Sequence, residues 1–484
     1  MNKRFLSFPR KLIQILGGGA IAGAVLSLIG ATVYSGGSRR VMLAYLVAFA
    51  FVLSLSLGSL FFVLIQHLMR AGWGVLVRRP AEIFSLNIVT VAVLFVPIAL
   101  SVLGGSGSLY PWANRESGEL QQHGPAPVVD LSKDPSPVVL DLAKDPGQGR
   151  VATSTTKEPV ANRVAFPNEP TALAAGPVQS HSVVHDHHNN HDSLYVHQTV
   201  DELTLSKQGW LNPSFFILRS VVFFGIWTLI AWFYFSRSRH QDSAGGDEDT
   251  RQMEWWAGIC VFAFGITLTY AAFDFLMSID PHWYSTIYGV YYFAGCAVGG
   301  FSINLLAILL LQRLDLFPVT VSDEHRRDLG RLLFAFVFFW GYIAFSQYML
   351  LWYANVPETT RWFVVRGASM AEGYTNSWGY LLVFLLFGHF IIPFLGIMSR
   401  HVKTNKNAMI FWTGWLLVMH YLDLYWLVMP ELGPDFTIGL PEIGTLIFAV
   451  CVYLLGASLI ATRTSLLPTG DPRLNASMAI TDAY

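Results

Sequence analysis

Residues Phe273 to Gly289 read FDFLMSIDPHWYSTIYG. They place two carboxylates, Asp274 and Asp280, in a run that is otherwise apolar and aromatic. On either side the chain stays apolar long enough to cross a bilayer, which takes about 20 helical residues because every backbone amide must be satisfied within the helix. The stretch therefore reads as a very short connection, Asp280-Pro281-His282-Trp283-Tyr284, between two spanning helices. The residue before a proline avoids the helical region, so the first helix is expected to end at Asp280. Trp283 and Tyr284 are expected at the headgroup level, where aromatic rings are favoured.

Applied to all 484 residues, the same criterion gives ten spans, at approximately 12–33, 41–66, 82–104, 212–236, 255–279, 285–312, 330–354, 376–398, 408–430 and 442–462. The expected fold class is an all-α integral membrane protein. Composition agrees: 53% of residues are hydrophobic and 13% charged, against about 25% charged in ordinary soluble domains. A net charge of −1 gives no electrostatic case for nucleic acid. Cys260, Cys296 and Cys451 each lie in an apolar run outside any CxxC or CxxCH motif, so disulfides, iron–sulfur clusters and covalent haem on this chain are not expected. The basic start and apolar follow-on of the first 33 residues resemble a signal peptide, but the run is long enough to remain as a span.

Orientation follows from Lys and Arg. With the amino terminus inside, nineteen fall on inner segments and only Arg39, Arg40, Arg361 and Arg366 on short outer loops, which places both termini in the cytoplasm. Residues 1–104 then hold spans one to three and 212–464 spans four to ten, with 465–484 as a cytoplasmic tail. Residues 105–211, rich in Pro, Ser, Asp and His, read as a largely irregular periplasmic loop. Its His181, His185, His187, His188, His191 and His197 invite a metal reading, but such a run fixes no ligand geometry and reads more plainly as a polar tract.

Ionisable groups at membrane depth cost on the order of 3 kcal/mol each and usually face a bundle interior or a wet cavity. The candidates are Arg219, Asp274, His389, His420 and Asp423. Asp274 comes out about 9 Å deeper than Asp280 and on a different helix face, at a depth similar to that of Arg219 on the preceding span. An intramembrane Arg219–Asp274 ion pair is expected, serving either charge neutralisation or proton handling. His420 and Asp423, three apart, share one helix face and suit a proton-handling couple. His389 lies on the preceding helix, and with His420 would allow one bis-His haem at most. Gly19 with Gly23, and Gly295 with Gly299, suggest close helix contacts.

The segment DFLMSIDPHWYSTIYGVYYFAG, with HYLDLYWLVMP in the ninth span, resembles the NrfD-like membrane subunits of bacterial alternative complex III, above all the second of that complex's two large polypeptides. These are related to the membrane subunit of polysulfide reductase. The resemblance is clearest over about 212–464. It implies two four-helix bundles, spans two to five and six to nine, flanked by spans one and ten. It implies a subunit of a quinol:cytochrome c or quinol:oxidase oxidoreductase, not catalytic alone. The implied partners are a sister NrfD-like subunit, an iron–sulfur subunit and multihaem and monohaem cytochrome c subunits that carry the metal centres, with menaquinol or another quinol as the small molecule. Quinol oxidation releases two protons, so Asp274, His389, His420 and Asp423 are expected to form a half-channel with Asp280 and His282 at its outer mouth. A purely structural scaffold subunit is the alternative, and a secondary transporter the third, for which Pro393 is one of few mid-membrane helix breakers.

Overall fold

The structure, a computed structural model, describes residues 10–34, 37–105, 107–114, 202–368 and 376–480. The six histidines of the 181–197 tract lie outside them. Ten long helices follow in chain order: α1 (Arg10–Val33), α2 (Gly37–Leu68), α3 (Val75–Leu103), α4 (Pro213–Ala244), α5 (Glu248–Phe275), α6 (Tyr288–Arg313), α7 (Asp323–Ala354), α8 (Ser377–Met398), α9 (Lys406–Val428) and α10 (Leu440–Ala461). All but α9 are long and apolar enough to cross a membrane, nine among the described residues. The described residues hold no strand, and the chain is an all-α, multi-pass membrane protein. Helix α9 has the length, but Lys406, His420, Asp423 and several Trp and Tyr lower its hydropathy.

Helix α2 is apolar on every face, as befits a helix enclosed by others. Of its most apolar window, 89% is buried, against 17% for α1. It meets α6 at Gly58 and Gly300, where a Cβ on either glycine would overlap the backbone of the other helix. The backbones touch because neither residue has a side chain. Helix α1 lies along α10 by the same device: Gly23 packs on Phe448 and Gly444, and Gly30 on Pro441.

Helix α3 begins at Val75, earlier than the expected 82, and runs in three segments, Val75–Leu86, Ile88–Leu94 and Val96–Leu103. Its early start draws Arg78 and Arg79 out of the expected loop and buries both against Glu82, at 2.7 and 3.1 Å. Residues after 464 form no loose tail where they are described. Asp471 takes an ion pair from Arg78 at 3.2 Å, and Ser477 donates to the Trp73 carbonyl at 2.8 Å.

The connection after α5 also departs from expectation. The helix ends at Phe275 and a 3-10 turn, Met277–Ile279, follows before extended Asp280. Tyr284 is exposed, whereas Trp283 is buried within the protein. It stacks on Trp362 with ring centroids 4.4 Å apart and donates to the Thr359 carbonyl at 3.1 Å. The aromatic partner and the acceptor both come from the short helix Pro357–Val365.

Candidate functional site

Three helices converge on Asp423 of α9. Its Oδ1 accepts from the Tyr291 hydroxyl of α6, and its Oδ2 from the Trp340 indole of α7 at 3.2 Å. The carboxylate is 1% exposed. One turn earlier on α9, His420 fills a notch in α6 made by Gly295 and Gly299, where a Cβ would fall 2.7 and 2.9 Å from the imidazole. The close contact expected at Gly295 and Gly299 is made with a histidine.

His420 Nε2 lies 2.7 Å from Ser54 Oγ on α2. Ser54 has one proton and gives it to the Phe51 carbonyl at 2.6 Å, so Nε2 is the donor and Nδ1 is left with its lone pair. That Nδ1 has no protein partner among the described residues. The expected direct couple between His420 and Asp423 is not made. Their side chains bind different helices, because Ser54 and Tyr291 offer each a closer partner.

His389 stands 6.3 Å from His420, ring centroid to ring centroid, and lies against Trp340 at 4.0 Å. Neither of its ring nitrogens has a protein partner among the described residues. It belongs to a π-helical turn, Leu386–Ile391, inside α8. Pro393 causes that turn, since proline has no N–H and clashes with the preceding turn of an α-helix. In the π register Ile392 donates to the Phe387 carbonyl, and the next acceptor, Gly388, would be left empty. Trp415 Nε1 fills it at 2.7 Å.

Asp423 also lines a cavity of about 600 Å³ between α7, α8, α9 and the Pro357–Val365 helix. Its walls include Tyr348, Trp362, Phe390 and Trp426, with Gln347 as a second polar side chain.

From Asp423 a series of polar groups continues toward the Asp280 turn. Tyr288 and Tyr291 are one turn apart on α6, with rings 6.5 Å apart, and Tyr288 packs edge-on against Trp283 of the turn at 5.7 Å. Arg366 is buried, donates to Glu431 at 2.9 Å and to the Leu427 carbonyl at 2.7 Å, and lies over the Trp362 ring. Burial pushes the Glu431 carboxyl up, against the pull of Arg366. Burial also works to raise Asp280, but hydrogen bonds from His282 and the nearby Arg366 charge outweigh it and hold that carboxyl below its ordinary value. The His282 backbone amide donates to Asp280 Oδ1 at 3.0 Å, and its Nδ1 lies 3.6 Å from the same oxygen.

Asp274 is elsewhere. Arg219 Nε and Nη2 donate to its two oxygens at 2.7 and 3.0 Å, and Trp210 Nε1 adds a third bond at 3.0 Å. The guanidinium is clamped between the rings of Trp210 and Phe215, at 4.1 and 4.3 Å. Tyr110 and Trp112 close the end of α5 by donating to the carbonyls of Phe275 and Ser278. Among the described residues no contact joins Asp274 to His389, His420 or Asp423. Of the four expected half-channel residues, the structure brings three together and leaves Asp274 in an ion pair that accepts three hydrogen bonds.

Several contributors escaped the sequence reading. Tyr291, Tyr288 and Trp340 are neutral and read as packing, although a tyrosine pair inside a span was a usable signal. Arg366 and Arg40 read as outer-loop charges, whereas each is buried against an acid, Arg366 with Glu431 and Arg40 with Glu442 at 2.6 Å. No protein-family profile matches this sequence, and neither does any curated protein.

Proposed function

We propose that this chain is the second NrfD-like membrane subunit of an alternative complex III, a quinol:cytochrome c or quinol:oxidase oxidoreductase, and that it moves protons beside the quinol-oxidising sister subunit. In this reading α9 also crosses the membrane, as the ninth of ten spans, both termini are cytoplasmic, and the Asp280 turn faces the periplasm of the bacterial inner membrane. Spans two to five and six to nine form the two bundles. Iron–sulfur and cytochrome c subunits hold the redox centres.

One observation supports this above the others: buried Asp423 is hydrogen-bonded to a tyrosine that begins a series of polar groups ending at a polar turn. A tyrosine hydroxyl both accepts and donates, so Tyr291 and Tyr288 can pass a proton without becoming charged. Glu431, its carboxyl raised by burial, is suited to hold that proton, and Asp280, held low, to draw it toward the surface. His389 and His420, with three ring nitrogens free of protein partners among the described residues, feed the other side of Asp423. Asp274 is assigned to structure: its two oxygens already accept three hydrogen bonds.

Purification of the native assembly, with its members identified by mass spectrometry, tests the assignment. Stoichiometric haem and iron–sulfur proteins are expected, and a chain that purifies without them contradicts it. A scaffold-only role predicts that Asp423→Asn leaves quinol-driven proton movement unchanged.

A further inference from the structure

We infer that the cavity between α7, α8 and α9 is a binding site for a lipophilic amine, held in its protonated form by Asp423. The inference does not rest on the reading of the chain as part of a redox complex. It starts from a pattern among the buried acids. Every other buried carboxylate among the described residues lies within ion-pair distance of an arginine, as Asp274 does of Arg219, Glu431 of Arg366 and Glu442 of Arg40. Asp423 is the exception: its only partners among those residues are the neutral donors Tyr291 and Trp340. It is also the one acid in the wall of the cavity.

Each Asp423 oxygen accepts one protein hydrogen bond, and a carboxylate has room for about four in all. The acid can therefore take a donor from the cavity without giving up either protein partner. Buried charges persist in proteins when they are paired. An ammonium in the cavity supplies to Asp423 the positive charge that arginine supplies to the other acids. The remaining walls suit the remainder of such a molecule. A volume of about 600 Å³ is that of a small-molecule site. Rings of Tyr348, Phe390 and Trp426 line it, and aromatic rings accept hydrocarbon while attracting a cation, the more so where water is excluded.

The entrance is lateral. Phe345 and Leu386 belong to the wall and are 62% and 48% exposed, on the side that meets lipid. An amine dissolved in the bilayer arrives uncharged. At the cavity the Asp423 carboxyl gives its proton to the amine nitrogen, which leaves a carboxylate and an ammonium in contact and no net charge gained or lost. A metal ion would have to cross hydrocarbon to arrive, and no group of three His, Cys, Asp or Glu gathers to hold one among the described residues. An acyl chain fills the volume but brings no donor to the carboxylate. An amine seated there occupies the same group to which the proton path is assigned.

The test uses the full-length chain in nanodiscs of zwitterionic phospholipid, titrated by equilibrium dialysis with diphenylpropylamine, with empty nanodiscs correcting for partition into lipid. Saturable binding is expected. Diphenylpropanol, which has the same shape and donates a hydrogen bond but carries no charge, should bind at least about tenfold more weakly, and Asp423→Asn should weaken the amine about a hundredfold. Ala344→Trp fills the cavity and should abolish binding, with Ala344→Leu as the milder filler if the larger ring disturbs folding; each variant is checked for an unchanged size-exclusion profile. Amine binding that is undiminished in Asp423→Asn or in the filled cavity overturns the site. Alcohol that binds as tightly as the amine overturns the ligand class. Amine binding by a chain that purifies without redox companions would sustain the site while removing the complex.

Discussion

Two buried aspartates, alike in sequence context, have opposite surroundings. Asp274 faces a guanidinium held rigidly by two rings, and Asp423 faces only neutral donors beside a cavity. Removing one partner of a buried ion pair leaves the other uncompensated, a loss of about 3–5 kcal/mol. Asp274→Asn should therefore lower the yield and melting temperature of the purified protein, and Arg219→Met combined with Asp274→Leu should recover most of both. Asp423→Asn, by contrast, keeps the shape and strands no charge, so its melting temperature should stay near that of the parent. Equal losses in the two Asn variants would refute this division.

Asp280 allows a pH test with a definite sign. Its carboxyl is held below the ordinary value of 3.8, so its contribution is present above about pH 4 and is lost as pH falls through the depressed value. The stability difference between the parent and Asp280→Asn should be constant from pH 7 to about 4 and shrink below it. A difference that already fades near pH 6 would assign the titration to another group, His282 first.

Among helices, apolar length made the ten long elements legible, since the bilayer imposes that length and α-helices are what satisfies it. What composition could not reveal was where helices continue past the lipid. Arg78 and Arg79 look like loop charges until Glu82, one turn on, and Asp471, almost 400 residues away, supply their partners. The site was half legible for a similar reason. His389, His420 and Asp423 stand out as costly groups, whereas Tyr291 and Trp340 acquire their places at the site only through long-range contacts.

Two device-level predictions follow from the packing. Gly58→Leu forces α2 off α6 and should abolish the monodisperse peak in size-exclusion chromatography, whereas Gly225→Ala, on open surface, should leave it unchanged. Trp415→Phe leaves the Gly388 carbonyl empty beside the π turn and should cost about 1–3 kcal/mol in thermal unfolding. An unperturbed Trp415→Phe would mean that the carbonyl is satisfied without the indole.

At the scale of the molecule, a nearly enclosed α2 and α6 hold the histidine notch, and the less buried helices carry the cavity wall and a broad lipid-facing surface. The same framework keeps the Arg219–Asp274 clamp apart from the Asp423 series, so in the proposed reading stability and proton traffic are served by different acids. Asp423 is the residue on which the proposed proton path turns. Native complex in proteoliposomes, supplied with quinol and its electron acceptor, reports proton release through an external pH dye. Asp423→Asn should retain every subunit and its haem content yet release protons at least about a hundredfold more slowly, the usual scale for losing a proton-transferring group. Release at the parental rate from an intact Asp423→Asn complex would contradict the account.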